Sequence, residues 1–256
     1  MYSAIDCYRS VLSSVFIFCL PDISTNFILK DLMRSFKLER PLVPNRAPPW
    51  DLLNVLDFLR GPPFEPITSA SLRDLSRKLL FMVSFASARR IGELHAVSRK
   101  VPLQGSDVFL SYLPEFRAKT ESEGNPLSRS FIIKGLDDFV GDMQDELLLC
   151  LVRALEFYLN RTRSLSPRPR SLFVSPKKPI LVMSKNAISF FLRDVICCTS
   201  GIEEGPGPST LPRAHSIRGV STSASFLRNF SLSKVLEAAT WKSSSVFTSF
   251  LSFFFI

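Results

Sequence analysis

Leu72-Arg-Asp-Leu-Ser-Arg-Lys-Leu-Leu-Phe-Met-Val-Ser-Phe-Ala-Ser-Ala-Arg-Arg-Ile-Gly-Glu-Leu94 is the stretch on which the fold turns. A helical pattern runs from Leu72 through Phe85 and becomes apolar on nearly every side toward its far end. A helix apolar all round belongs inside a core large enough to surround it. Thr68 or Ser69 is placed to cap it. Ser87-Ala-Arg-Arg-Ile-Gly-Glu-Leu94 follows directly, and charge at the end of so apolar a helix costs free energy unless it finds a partner. Arg90 is therefore a candidate for an interior or cleft role. The alternative at this point is a solvated helix end, the commoner use of arginine there.

Working toward the N-terminus, Trp50 to Leu59 reads as a short helix stopped by Gly61-Pro62-Pro63. Before it, Pro41-Leu-Val-Pro-Asn-Arg-Ala-Pro-Pro49 holds four prolines in nine residues and cannot be helical. This semi-rigid linker divides the chain into residues 1–44 and 45–256. The first part carries two helices, over Ala4 to Phe18 and again behind Ser24 or Thr25 as cap. Two helices of this size bury little by themselves, so residues 1–44 read as the tail of a helical domain whose start is missing.

Working toward the C-terminus, Val108 to Tyr112 and Ser130 to Lys134 read as strands, joined by a polar loop from Lys119 to Asn125. Leu147 to Leu159 is expected to be a helix and Ser171 to Ser175 a short strand. The basic, proline-broken run Arg161 to Arg170 between them could touch phosphates or be a solvated loop. Ser184 caps a further helix carrying Ile188, Phe191, Leu192 and Val195. Gly201 to Pro212 is a connector, and Ala214 to Ile256 holds two or three helices. The fold class is mainly α with a small β-sheet (α+β).

Composition narrows the function. The chain has 256 residues, 46% of them hydrophobic and 21% charged, which suits a folded protein with a sizeable core. Thirty-two Lys and Arg against 23 Asp and Glu leave a net charge of +9, and the isoelectric point is about 9.6. That excess fits a polyanionic partner such as nucleic acid, or simply a basic protein. The five cysteines, Cys7, Cys19, Cys150, Cys197 and Cys198, form no CxxC pair and lack a histidine at zinc spacing. No metal, cofactor or small-molecule substrate is expected. An odd number of thiols in apolar surroundings suits a reduced, intracellular protein. Val11 to Leu20 lacks the basic flank and cleavage site of a signal peptide, and no run is long enough to span a membrane.

Two more stretches could carry chemistry. In Arg213-Ala-His-Ser-Ile-Arg-Gly219, His215 and Arg218 stand three apart and share one face if helical. They could converge on one anion, the arginine through its planar fork. In Ala238-Ala-Thr-Trp-Lys-Ser243, the indole of Trp241 can donate one hydrogen bond. Alone, each has a plainer reading, a chance HxxR and a core tryptophan.

In this order and spacing, however, the three stretches resemble the tyrosine-recombinase (phage-integrase-like) family. The resemblance is nearest to the recombinases of DIRS-like and Ngaro-like retrotransposons. Ser87 to Val97, Ala214 to Ser223 and Ala238 to Ser243 match three of that group's sequence boxes. Tyr8 to Ser14 and Leu32 to Pro41 are similar to its upstream segments. The resemblance implies a tyrosine-recombinase catalytic fold over residues 45–256, preceded by a truncated helical core-binding (SAM-like) domain over residues 1–44. It implies a clamp around double-stranded DNA, assembly as a homo-oligomer on that DNA, a nuclear or intracellular location, and strand breakage and rejoining without metal. By position, Arg90 and Arg218 would grip the non-bridging phosphate oxygens, and His215 would move a proton and orient the phosphate. Trp241 would add a donor, and Lys119 on the strand hairpin would protonate the leaving oxygen.

One departure decides the chemistry. The family's nucleophilic tyrosine falls about ten residues past the tryptophan, where this chain has Leu251. Its four tyrosines, Tyr2, Tyr8, Tyr112 and Tyr158, all lie earlier. Leucine has no nucleophilic atom, and an identical partner subunit would lack the tyrosine too. The apolar ending Phe250-Leu-Ser-Phe-Phe-Phe-Ile256 is read as a drifted terminus or as a segment docking in trans. The expectation is a DNA-binding, retrotransposon-derived recombinase relative deficient in cleavage. The alternatives are a non-catalytic DNA-binding or scaffold module and a decayed fragment.

Overall fold

The computed structural model describes residues 2–16, 25–39, 50–104, 107–119, 121, 128–135, 144–200 and 212–239. By internal contact the chain divides into Met1–Arg46 and Ala47–Ile256. In the first unit, α1 (Tyr2–Val15) packs on α2 (Phe27–Glu39), and Met33 is buried. The α2 cap is Asn26, whose Oδ1 accepts from Ile28 N at 3.0 Å and Leu29 N at 3.2 Å. Ser24 or Thr25 was the expected cap, but asparagine reaches the first free amides equally well.

The second unit is built around α4 (Leu72–Ser87), flanked by α3 (Leu52–Arg60) and the short α5 (Ile91–His95). Asp51 caps α3, accepting from Leu53 N at 2.8 Å, and Ser71 caps α4, accepting from Asp74 N at 3.1 Å. The α4 cap therefore lies beyond Thr68 and Ser69, directly before the first helical residue. Leu75, Leu79, Leu80, Phe81 and Val83 of α4 are buried. The helix packs against α7 (Leu151–Arg161), α8 (Lys185–Ser200) and α9 (Ser216–Leu227), the all-round enclosure that its composition demands. Each fully buried aliphatic side chain contributes about 1.5–3 kcal/mol to that core.

A three-stranded antiparallel sheet lies beside the helices in the order β1 (Leu103–Gln104), β2 (Asp107–Ser111) and β3 (Ser130–Ile133). Val108 pairs with Ile133 and Ser111 with Ser130, so Val108, Leu110 and Ile133 enter the core. This mostly helical fold with one small sheet is the α+β class expected.

Two local expectations change. Residues 171–175 form only isolated bridges, Ser98 with Ser171 and Val174 with Val182, because each neighbouring segment pairs at a single point. The helix expected from Leu147 divides into α6 (Gln144–Leu147) and α7, since the extended backbone at Cys150 interrupts it. The remaining helix, α10 (Leu232–Ala238), is capped by Ser231.

A buried ionic cluster fastens the turn after α3 to α4 and α7. Lys78, fully buried, donates to Glu65 Oε1 at 2.5 Å and to the Leu59 carbonyl at 2.9 Å. Arg153 holds the same carboxylate with both ends of its fork, at 2.8 and 2.9 Å. Burial alone would raise the Glu65 pKa, but the hydrogen bonds from Arg153 and Lys78 outweigh it and hold it below the usual carboxylate range. Burial pulls the Lys78 pKa below that of a free ammonium, against the opposing pull of Glu65. Among the described residues no helix is long and apolar enough to cross a membrane.

Candidate phosphate-binding site

Helix α4 ends at Ala88, whose φ of 50° places a side-chain-bearing residue in the left-handed region. That reversal turns the chain so that Arg89 and Arg90 come off the end of the apolar helix instead of continuing it. Arg90 then becomes the N-terminal cap residue of α5. Its backbone N–H donates to Glu93 Oε2 at 3.3 Å, and its guanidinium Nη1 donates to Oε1 at 3.1 Å. Arg89 lies 3.9 Å from the same carboxylate. Glu93 is 2% exposed, so one buried carboxylate sits between two cations.

The second segment arrives on α9. Ser221 Oγ donates to the Phe85 carbonyl at 2.5 Å, which ties α9 to the last turn of α4. Thr222 Oγ1 donates back to the Arg218 carbonyl at 2.8 Å, an ordinary way for a helical threonine to satisfy itself. Arg218 on the first turn of α9 is 1% exposed, and its Nη2 donates to the Ala239 carbonyl at the end of α10. Burial, with the charges of Arg90 and Arg89, pushes its pKa down to about 9, while Glu93 and Tyr112 work in the opposite direction. At neutral pH it is still a cation.

His215 precedes α9 and is exposed. The burial it does have, together with the cations Arg218 and Arg90, holds its pKa below 6.5. These electrostatic influences place Arg90, His215 and Arg218 in one neighbourhood, although they come from residues over a hundred positions apart in the chain. Trp50 braces the edge of that neighbourhood. Its indole N–H donates to Ser216 Oγ at 2.8 Å, while Ser216 Oγ donates to the Arg213 carbonyl at 2.6 Å.

Three arginines against one carboxylate leave this region with excess positive charge and unused guanidinium donors, an arrangement suited to a tetrahedral oxyanion. No hydrogen bond is recorded for Nε or Nη1 of Arg89 among the described residues. Lys119 is exposed on the connection after β2 and enters none of the interactions that join Arg90, His215 and Arg218. Trp241 and Leu251 lie outside the described residues.

Sequence reasoning missed Arg89, Glu93, Tyr112 and Trp50 as parts of this region. Glu93 stood within the quoted motif, three residues after Arg90, and helical spacing alone would pair them. Tyr112 and Trp50 gave no signal, because what brings them here is the tertiary path of β2 and of α3.

No protein-family model matches this chain, and no curated protein matches its sequence. Its fold is nevertheless similar to solved structures of tyrosine recombinases. XerA recombinase superposes with a TM-score of 0.52 at 16% identity, over 98% of this chain and 78% of that one. A fragment of lambda integrase, in a dimer bound to a COC′ core site, gives 0.54 at 12% identity over 98% and 73%. XerH site-specific recombinase bound to its difH substrate gives 0.52 at 13% identity over 80% and 50%, so this chain spans about half the length of the XerH protein.

Proposed function

We propose that this chain is a DNA-binding protein of the tyrosine-recombinase kind that grips a backbone phosphate with Arg90, Arg218 and His215. The observation that carries the reading is that those three residues lie within electrostatic reach of one another on a recombinase-like fold, with the buried carboxylate of Glu93 bonded to Arg90 and acting on Arg218. Arg90 and Arg218 supply charge and directional donors. His215, neutral at physiological pH, can take up a proton when a bound anion offsets the neighbouring cations. Trp241 and Lys119 complete the set as further donors to the phosphate and the leaving oxygen.

The reading extends to ancestry and activity. The three sequence boxes favour descent from a DIRS-like retrotransposon recombinase, acting in the nucleus or elsewhere inside the cell. The solved relatives include XerH on its difH substrate and a lambda integrase dimer on its core site, which supports double-stranded DNA as the partner and assembly on it as a homo-oligomer. Leu251 at the tyrosine position makes this copy deficient in strand cleavage. For the same reason a non-catalytic DNA-binding or scaffold role is the second reading.

Salt-titrated binding of a labelled random duplex separates these readings from an incidentally basic surface. Each neutralised phosphate contributes about 0.9 to the slope of log affinity against log salt. Because both arginines hold one phosphate, the Arg90→Ala/Arg218→Ala double variant should bind more weakly and lose roughly one unit of that slope. Equal binding and an equal slope in a variant with native-like melting would place DNA elsewhere, or nowhere, on this protein.

A further inference from the structure

Tyr112, directly after β2, is 5% exposed and its hydroxyl has no hydrogen-bond partner among the described residues. Its ring is well held. It packs on Phe116 with centroids 5.2 Å apart and on Phe131 of β3 at 5.7 Å. Arg89 lies over the other member of that stack, its guanidinium 4.8 Å from the centroid of Phe131. Arg89 is itself 7% exposed and leaves Nε and Nη1 without hydrogen bonds among the described residues. The phenol is close enough to Arg89, Glu93 and Arg218 for all three charges to act on it. Burial outweighs the two cations and raises its pKa, so it is a donor at every physiological pH.

A buried hydroxyl and a buried guanidinium, on side chains that both pack against Phe131 and both with donors unspent, are costly to leave so. Both costs are removed together by one acceptor with several oxygens: even a guanidinium N–H donated to the phenol oxygen would leave the phenol O–H unspent, no such bond is made among the described residues, and Glu93 is already held by Arg90. Cations on this side fix the sign of that acceptor as negative.

We propose that Tyr112 and Arg89 belong to the anion site, donating to an oxygen of the same phosphate group that Arg90 and Arg218 hold. The inference rests on the phosphate-binding reading above and adds two residues to it. Tyr112 is one of only four tyrosines, and none of the three motifs contains it. A phosphodiester in duplex DNA and free inorganic phosphate present the same oxygens, so both serve as probes.

The test uses the full chain and three proteins: native, Tyr112→Phe and Arg90→Gln. Phenylalanine keeps the ring stack and deletes only the donor. Inorganic phosphate is titrated while the thermal midpoint is followed, and duplex affinity is measured in parallel. The expected result is that Tyr112→Phe melts no lower than the native protein in phosphate-free buffer, yet binds phosphate roughly tenfold more weakly, the scale of a hydrogen bond to a charged group. A matching loss on duplex DNA identifies the phosphodiester as the group bound; a loss confined to inorganic phosphate identifies a free anion. Native affinity for both probes in Tyr112→Phe, with Arg90→Gln weakened, overturns the inference and leaves the DNA-binding reading standing. Native affinity in Arg90→Gln overturns the reading beneath it. A lower melting point of Tyr112→Phe without phosphate shows that the hydroxyl already has an internal partner, which also overturns the inference.

Discussion

Replacing Glu65 by glutamine should cost more than any single change on the surface of this protein. The substitution keeps size and one hydrogen-bond acceptor but removes the negative charge that pairs with both Lys78 and Arg153. Arg153 is partly open and can turn toward solvent. Lys78, fully buried, cannot. Its remaining choices are to stay charged with only the Leu59 carbonyl as firm acceptor, or to lose its proton. Giving up the proton of an ordinary ammonium at pH 7 costs at most about 5 kcal/mol, at about 1.36 kcal/mol per pKa unit. Burial already lowers the Lys78 pKa, so the actual loss is smaller, about 3–4 kcal/mol, within the range for breaking a buried ion pair. Lys78→Met should cost less, about 1–2 kcal/mol, because Glu65 keeps both bonds to Arg153 and only the Leu59 carbonyl loses its donor. Denaturant unfolding at pH 7 and again near pH 10 provides the assay. In Glu65→Gln the folded Lys78 has a depressed pKa, so the unfolded chain binds the extra proton and stability rises with pH. The gap to the native protein should therefore narrow toward pH 10. A loss below about 1 kcal/mol at pH 7, or a gap that stays constant with pH, would refute the assignment of a buried charge balance.

Three further outcomes follow from described geometry. His215 has a folded pKa below 6.5, so its contribution to stability is present above that value and is lost as pH falls through the folded pKa; a bound anion reverses this by favouring the protonated ring. DNA affinity should rise between pH 7.5 and 5.5 in the native protein and in His95→Gln but not in His215→Gln, and a rise that survives in His215→Gln would assign the proton elsewhere. Gly92 lies within α5 and, among the described residues, nothing beyond its chain neighbours and its own helix backbone comes within 4 Å of where a Cβ would stand, so Gly92→Ala should stabilise by about 0.5–1 kcal/mol, and a lower thermal midpoint would contradict that. Tyr158→Phe leaves the buried Val174 N–H without its 2.8 Å acceptor and should destabilise by about 1–3 kcal/mol in denaturant unfolding, with an unchanged midpoint as the contrary result.

What the sequence disclosed depended on how local the determining physics was. The helix behind Ser71 was legible because period, length and enclosure all agree, and the β2–β3 pair because alternation is a two-residue pattern. Caps shifted by one to three residues, since Thr68, Ser69 and Ser71 are equivalent donors and acceptors until the backbone chooses among them. Residues 171–175 carry strand-forming side chains, yet a strand exists only through its partner, and here each partner meets them once. Arg90, His215 and Arg218 could be picked out by resemblance, whereas their shared counter-charge and the Tyr112 hydroxyl depend on contacts between distant segments. The Lys78–Glu65–Arg153 cluster had no sequence signal, because a lysine inside an apolar helix looks like a surface residue until its face is known.

The bond from Arg218 to the Ala239 carbonyl bears on how such a chain ages. A guanidinium that also caps the end of α10 is under selection twice, once for any ligand it holds and once for keeping a helix in place. When one pressure lapses, the other still removes substitutions at that codon. The arginine is thus held in place by folding even where it holds no ligand, and its presence here answers the needs of folding as much as those of binding. Arg90, whose side chain is 27% exposed and whose bonds among the described residues stay within its own short helix, has less structural duty. A change at Arg90 therefore reports on ligand binding more cleanly than a change at Arg218.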